Sequence, residues 1–588
     1  MATAMDDLNR MVAEKAARLE IFAGLSADTR DLICEQLEWL SLPAGAALFD
    51  EGDAGDSMFI VLSGRLGVIG KTLEGGTHVI AQIAAGETVG EMALLSNEPR
   101  SARVEALRDT ELLRISRGPF DQLIDASPSA MRFMNSLLVR RLRNTSRRPA
   151  SEDAPRTIAI QPLGTDLDAP GFARELARAL DALGRKTAIA GPEDSARGIE
   201  WFAQLEEAND FVLYVAESSV TDWTGRCLRQ ADRILTIIRA AAQSDADSSA
   251  GVEALLKARR HGGIEVAILH PANARRAAHS AEILRRFPGA EHAQMREGNH
   301  SDVARLARLI AGRAAGIVLS GGGARGFAHL GVLKALKEAG IPIDIYAGAS
   351  MGAIVAATAA LEWGHDEALS HLVPAFVETN PLSDYTIPIV ALARGRKVSR
   401  RLREHFGDLS VEECWRTFIC TSSDLTTGSV RVHRTGPIWK ALRASVAIPG
   451  VLTPMIEDNH ILVDGGVLNN MPIDLMLEMR RGPVIAVDVM RDHTVTAGTE
   501  GLEELSLINM LRPARRGSPN IVTLLMRAGT VGSEAQIRHL RPHLDLLIEP
   551  RIETIGMLEW KSYRLAIDEG YRQTMTILES REDLSRLR

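Results

Sequence analysis

The most constraining feature of this 588-residue chain is Gly348-Ala-Ser350-Met-Gly352, set between the apolar run Ile345-Tyr-Ala347 and the small-residue stretch Ala353 to Leu361. A serine held between two glycines where a strand turns into a helix needs a sharp bend. Any Cβ at Gly348 or Gly352 would collide with the neighbouring strand or helix. That requirement selects an α/β fold, in which a strand feeds directly into a helix. It also makes Ser350 a candidate nucleophile, presented as a nucleophile elbow.

Upstream, Gly316 to Gly326 reads as a strand (Ile317–Leu319), a glycine loop and the start of a helix. Gly321, Gly323 and Gly326 satisfy G-x-G-x-x-G, a weak dinucleotide fingerprint. A ribose-binding acid about 20 residues further on belongs at the end of the next strand. Asp344 has that spacing but begins its strand. With Ser350 at the strand's other end, a better use is an oxyanion loop. Backbone N–H groups of Gly322, Gly323 and Ala324 would face the oxygen that gains charge when the serine attacks an ester carbonyl.

A serine hydroxyl needs a base. His493, His539 and His543 follow in the chain, but none has a glycine-flanked strand-end context, and each reads as a surface histidine. Ile461-Leu-Val463-Asp464-Gly465-Gly466 instead places a carboxylate where an apolar strand meets two glycines. A turn-forming Asp-Gly is the simpler meaning of that dipeptide in isolation. With an ordinary pKa of about 3.9, an aspartate is a weak base at neutral pH, so desolvation or a direct hydrogen bond would have to assist it.

Gly321-Gly-Gly-Ala324-Arg325-Gly326, Gly348-Ala-Ser350-Met-Gly352 and Asp464-Gly-Gly466, in this order, resemble the patatin-like phospholipases. The match extends through Ala444-Ser-Val-Ala-Ile-Pro449-Gly450 and Asn469-Asn470-Met-Pro472. The resemblance implies a Ser350–Asp464 dyad without histidine, an oxyanion loop at Gly321 to Gly323, and no cofactor or metal for catalysis. Arg325 would support that loop or meet an anionic headgroup.

The first segment shows short strands (Met58–Leu62, Leu66–Ile69, His78–Ile83, Glu111–Ile115) broken by glycines, the pattern of a small barrel or jelly roll. A helical stretch from Pro119 to Arg143 closes it. Val89-Gly90-Glu91 through Pro99-Arg100-Ser101-Ala102 resembles the phosphate-binding cassette of cyclic-nucleotide-binding domains. There Gly90 would give close backbone approach, Glu91 would accept from a ribose hydroxyl, and Arg100, beside Ser101, would clamp a cyclic phosphate. The resemblance implies cyclic AMP or cyclic GMP as a regulatory ligand, although such a fold can persist after binding is lost. Arginines 140, 141, 143, 147 and 148 read as a solvated helix end or as a patch steering the chain to anionic lipid.

Between these regions, strands at Thr157–Ile160, Phe211–Val215, Arg233–Ile238 and Ile264–Leu269 alternate with helices such as Phe172–Leu183, again an α/β pattern, with no G-x-x-x-x-G-K-[ST] phosphate loop. The expected organisation is a cyclic-nucleotide-binding-like jelly roll (1–145), a linker (146–156), an intervening α/β domain (157–313), a patatin-like hydrolase domain (314–500) and a helical C-terminal extension (501–588). As a whole the chain resembles bacterial members of the neuropathy target esterase family, and Trp223-Thr-Gly-Arg-Cys227-Leu-Arg229-Gln-Ala-Asp232 belongs to that likeness. It departs from animal members in having one cassette and no transmembrane anchor.

Net charge of −8 argues against a nucleic-acid-binding role, and the four scattered cysteines suggest neither disulfides nor a zinc site. The acidic N-terminus lacks a signal peptide's features, so a cytoplasmic protein that meets membranes peripherally is expected, of undetermined oligomeric state. The reading that follows is a lysophospholipase- or phospholipase-type ester hydrolase acting on phospholipid or lysophospholipid. The alternative is a catalytically silent cyclic-nucleotide-sensing scaffold or signalling protein. A nucleotide-dependent transcription factor would need a DNA-reading helix pair after the first domain, where an α/β region stands instead.

Overall fold

The computed structural model describes residues 22, 36–71, 77–126, 131, 134–136, 156–240, 246–258, 263–379, 383–387, 389–490, 533, 537–581 and 584–587. The linker up to residue 155, all five arginines of the basic cluster and His493 lie outside them. Two compact units emerge, one of Met1–Ile238 with Ala242–Ala267, the other of Arg239–Ala241 with Ile268–Arg588.

In the first unit, β1 (Glu38–Leu42), β2 (Ala47–Phe49), β3 (Ser57–Lys71), β4 (Thr77–Ala84), β5 (Thr88–Val89) and β6 (Arg103–Ser116) form an antiparallel jelly roll. Consecutive residues on β3 point to opposite faces, and both faces are buried. Met58 and Ile60 pack with Leu113, Ile115 and Leu123, whereas Phe59 and Val61 pack with Leu66, Ile83 and Leu112. The two strands expected at 58–62 and 66–69 are one strand. Gly64, at φ 94°, bends the chain without ending the pairing, and β3 passes the bend through register shifts against β6. The cassette helix α1 (Glu91–Ser96) follows β5.

The same unit holds a parallel array, β7 (Thr157–Pro162), β8 (Thr187–Ala190), β9 (Phe211–Val215) and β10 (Arg233–Arg239), in the order β10-β7-β9-β8. The apolar runs of β7 and β9 are buried throughout, as strands covered on both faces must be. After β7 the chain reads Leu163-Gly164-Thr-Asp-Leu-Asp168 and carries no phosphate-binding lysine. The Trp223–Asp232 stretch is structural here. Trp223 Nε1 donates to the Val215 carbonyl at 2.8 Å, and Asp232 accepts from the Arg156 and Thr157 amides at 3.0 and 3.2 Å. Arg108 of β6 reaches the same place, pairing with Glu206 at 2.8 Å and Asp232 at 3.8 Å.

The division between the units falls within β11 (Ile264–His270), and β12 (Glu291–Arg296) belongs to the second. That unit is built on β13 (Gly316–Leu319), β14 (Ile345–Ala349), β16 (Thr417–Asp424), β17 (Ser429–His433), β19 (Met455–Glu457), β20 (His460–Asp464), β21 (Val484–Val487) and β22 (Leu546–Ile548). Their order is β19-β20-β16-β14-β13-β21-β22, with β17 on β16. A separate pair joins β15 (Ala391–Ala393) to β18 (Gly450–Leu452). β13 connects onward to β14 on one side and its neighbour β21 to β22 on the other, so the connections diverge between β13 and β21. That is the topological switch point at which α/β sheets open a crevice.

The C-terminal extension is more than helical. Leu546–Ile548 adds a parallel edge strand to β21, anchored where the Val484 amide donates to Asp545 at 2.9 Å. Three apolar residues are too few to show a period, which hides the strand in the sequence. Helix α2 (Ala328–Glu338) packs against α4 (Tyr563–Glu579) through Gly331 and Gly570, where any Cβ would overlap the facing backbone. Helix α3 (Met351–Ala360), almost wholly buried and made largely of alanine, lies under the sheet directly after Ser350.

Candidate active site

β14 and α3 meet at Ser350, whose backbone is held at φ 52° and ψ −127°. A non-glycine residue in that region is strained and persists only where its surroundings enforce it. They do so here. A Cβ at Gly352 would enter the Leu319 and Ser320 carbonyls, and one at Gly348 would meet the first turn of α3. The Ser350 amide donates to Ser445 Oγ at 2.8 Å. No single-sequence signal distinguished Ser445 beyond its place in the Ala444–Gly450 motif.

Pairing of β14 with β16, and of β16 with β20, brings Asp464 beside the serine although 114 residues separate them. Ser350 Oγ donates to Asp464 Oδ2 at 2.7 Å, and the Gly466 amide donates to Oδ1 at 2.8 Å. A Cβ at Gly465 would run into the Thr421 carbonyl, which is why a glycine follows the acid. Asp464 is 1% exposed and Ser350 7%. Burial pushes the Asp464 carboxyl up to about 6, against the opposing pull of the Ser350 hydroxyl and the Gly466 amide. Desolvation is thus the main cause that moves this carboxyl toward the range a base at neutral pH would need.

His539 and His543 are exposed, as expected. The buried His329 is engaged with the Ser320 carbonyl at 2.9 Å, and burial lowers its pKa to about 4. Among the described residues no histidine hydrogen-bonds to Ser350.

The glycine loop reaches the serine from β13, and the Gly321 Cα faces Ser350 Cβ and Asn470. Its donors divide unevenly. The Gly321 amide donates to the Asn470 carbonyl at 3.3 Å, and the Ala324 amide to the Met557 carbonyl at 2.8 Å. Ala324 is therefore removed from the expected donor set, because its N–H ties the loop to the C-terminal extension. The Gly322 and Gly323 amides make no hydrogen bond among the described residues. Gly323 sits at φ 57° with Met557 where a side chain would be, and Gly326 makes room for Met351. Arg325 is buried and donates to the Ile555 carbonyl at 2.6 Å and the Glu553 carbonyl at 3.2 Å. Both bonds tie the residue after Ala324 to the C-terminal extension. Asp344, weighed as a ribose acid, is wholly buried and accepts from Nε and one Nη of Arg308, each at 2.7 Å.

In the jelly roll, Gly90 has φ 84° and its missing side chain leaves room for Arg100. Arg100 is buried, donates to the Gly90 carbonyl at 3.0 Å and Ser57 Oγ at 3.2 Å, and stacks over Phe49 at 4.3 Å. Glu91 is buried at the start of α1, and Ser101 is exposed. The structure thus assembles Gly90, Glu91 and Arg100, with the guanidinium engaged inside the cassette. The sequence pattern did not indicate Ser57 or Phe49 as its neighbours.

Three family models match the chain: patatin-like phospholipase over residues 317–477, cyclic nucleotide-binding domain over 39–127, and neuropathy target esterase family P-loop like domain over 155–297. An uncharacterized NTE family protein of Mycobacterium bovis is 33% identical over 585 residues, 96% of each chain. The chain belongs to the neuropathy target esterase family. The human patatin-like phospholipase domain-containing protein 6 is 30% identical over 79% of this chain and 38% of its own length. A cyclic nucleotide-binding domain from Methylobacillus flagellatus matches 24% of this chain and 83% of its own, at 27% identity and a TM-score of 0.22.

In this family member, Ser350 and Asp464 both fall inside the patatin match, whereas the residues that pin its glycine loop, Glu553, Ile555 and Met557, lie beyond it. The middle match is P-loop-like in fold without the phosphate-binding sequence. No helix among the described residues is long and apolar enough to cross a membrane. Cys227, Cys414 and Cys420 are free and buried.

Proposed function

We propose that this NTE-family protein is a serine lipid acyl-hydrolase of lysophospholipase or phospholipase type working through a Ser350–Asp464 dyad. The observation that carries the reading is the 2.7 Å hydrogen bond from the strained Ser350 hydroxyl to a buried carboxylate. Asp464 accepts the hydroxyl proton as Ser350 Oγ attacks the ester carbonyl. The developing oxyanion takes hydrogen bonds from the Gly322 and Gly323 amides, each such donor being worth about 10²–10³ in rate. The proton passes to the leaving alcohol oxygen, and water then attacks the acyl-serine with Asp464 as base, releasing fatty acid and restoring the serine. The names of the patatin-like relatives support a lipid ester as substrate. Ser350→Ala is expected to abolish hydrolysis of lysophosphatidylcholine and of short p-nitrophenyl esters, and to prevent labelling by a fluorophosphonate. Full activity in that variant would reject the dyad, while absence of labelling in the native protein would favour the silent scaffold.

For the jelly roll we infer a cyclic nucleotide, cyclic AMP or cyclic GMP, as ligand, with Arg100 leaving the Gly90 carbonyl for the cyclic phosphate and Glu91 accepting from the ribose. The assembled cassette supports this reading. Calorimetric titration with each nucleotide, and the same titration of Arg100→Ala, tests it. No heat with either ligand would refute it. We further infer, from the sequence reading, a cytoplasmic protein that meets membranes peripherally.

A further inference from the structure

Away from the Ser350–Asp464 pair, the second unit carries a cationic hollow beside a greasy loop. Between β14 and β16 the chain runs through Tyr385, Ile387, Ile389 and Val390, which are 71%, 76%, 85% and 64% exposed. The loop is nonetheless a built feature. Its ends are joined where the Thr386 amide donates to the Leu392 carbonyl and the Arg394 amide to the Asp384 carbonyl, both at 3.0 Å. β15 then fixes its outgoing arm to β18. Ile456 of β19 is 74% exposed as well, and it lines the hollow described next.

At the foot of this loop is a cavity of about 690 Å³ whose lining includes five arginines, 394, 396, 400, 403 and 443, and one acid, Glu404. Arg400 and Arg401 share Glu404, at 3.6 and 2.8 Å. The guanidinium groups of Arg394 and Arg396 are exposed and have no carboxylate partner among the described residues. Arg403 lies over the Trp439 ring at 4.0 Å. Arg443 is 5% exposed and gives Nε to Ser399 at 3.2 Å and one Nη to the Thr453 carbonyl at 2.8 Å. Its other Nη is buried without an acceptor. A buried charged donor left unpaired is costly, and so calls for an acceptor. The helix Arg396–Phe406 buries Val398, Leu402 and Phe406 and turns arginines outward, a basic amphipathic face.

We propose that this surface docks the protein on an anionic phospholipid bilayer, the exposed side chains of Tyr385, Ile387, Ile389 and Val390 entering the acyl boundary while a headgroup phosphate sits among Arg394, Arg396 and Arg443. The chemistry selects one occupant. Exposed isoleucines beside tyrosine and tryptophan suit the interface between water and lipid, and an excess of four positive charges in the hollow suits phosphate. Arg443 occupies the helix Ile438–Ser445 that also presents Ser445 to the nucleophile, so a docked headgroup would lie on the element backing the catalytic serine.

The test uses the full chain carrying Ser350→Ala, so that vesicles survive, in co-sedimentation with phosphatidylcholine vesicles with and without phosphatidylglycerol. Binding is expected only with phosphatidylglycerol, and is expected to weaken as salt rises. Arg394→Ala/Arg396→Ala should weaken it about 25-fold, roughly fivefold per arginine. Ile387→Ser/Ile389→Ser should weaken it more than tenfold. In the otherwise native enzyme the same substitutions should leave hydrolysis of a soluble p-nitrophenyl ester unchanged, which separates failure of docking from failure of the hydrolase reading. Equal binding to pure phosphatidylcholine, or native-like binding by either double variant, would overturn the proposal. So would a concentration-dependent dimer, seen by sedimentation velocity and abolished by the isoleucine changes, since the loop would then be an interface between copies of this chain.

Discussion

Asp464→Asn should make the protein more stable while destroying its activity, and the gain should depend on pH in a calculable way. Burial raises the carboxyl from 3.8 to about 6 in the folded chain. A group with a raised folded pKa binds protons more tightly when folded, so the native state loses stability as pH rises through that range. Above pH 6 the full cost of holding the buried charge is present, roughly 3 kcal/mol for a shift of this size. At pH 5 the cost falls to about half, and near pH 4 to a small fraction of it. Asparagine escapes it. Its oxygen can accept from the Gly466 amide and its NH₂ can donate to Ser350 Oγ, so both hydrogen bonds survive in altered polarity. Thermal unfolding of native and variant chains at pH 8, 6 and 5 measures the effect. The melting temperature of the variant should exceed the native one on the order of 5 °C at pH 8, with the gap closing toward acid. A variant no more stable than the native chain at pH 8, or a gap independent of pH, would refute the argument that desolvation sets the base's strength.

The same carboxyl should govern the rate: kcat/KM for a neutral soluble ester should fall tenfold per unit below about pH 6 and level off above it, and a profile flat to pH 4.5 would exclude Asp464 as base. Ser350→Gly should be more stable than Ser350→Ala by about 1–3 kcal/mol, because glycine adopts φ 52° and ψ −127° without strain. Chemical unfolding of the two inactive variants compares them directly. In the first unit, Arg108→Ala should cost about 3 kcal/mol by leaving Glu206 and Asp232 without their shared cation, a loss visible in urea unfolding.

Much of the candidate site was legible because its motifs are short. Gly348, Gly352, Gly323 and Gly465 lie next to the groups they serve and so leave fixed patterns, although the backbone that crowds Gly352, Gly323 and Gly465 comes from distant parts of the chain. The Arg100 cassette was legible for the same reason. β8, β12, β15, β19 and β22 were not, being short or lacking the alternation that marks a half-buried strand. Ser445, Asn470 and Met557 were silent as functional residues because their work is done across 95 residues or more.

What the sequence by itself determined is the chemistry on offer: a serine on a strained turn, a carboxylate at a strand's end, a glycine loop that can expose amides, and an arginine cassette in a jelly roll. Only the tertiary structure decided how those groups are used. Parallel pairing of β14 with β16, and antiparallel pairing of β16 with β20, put Asp464 against Ser350 and removed it from water, which sets its pKa. The C-terminal extension took Ala324 out of the donor set and left Gly322 and Gly323 in it. Burial and long-range hydrogen bonds are properties of the packed chain, and no local pattern encodes them.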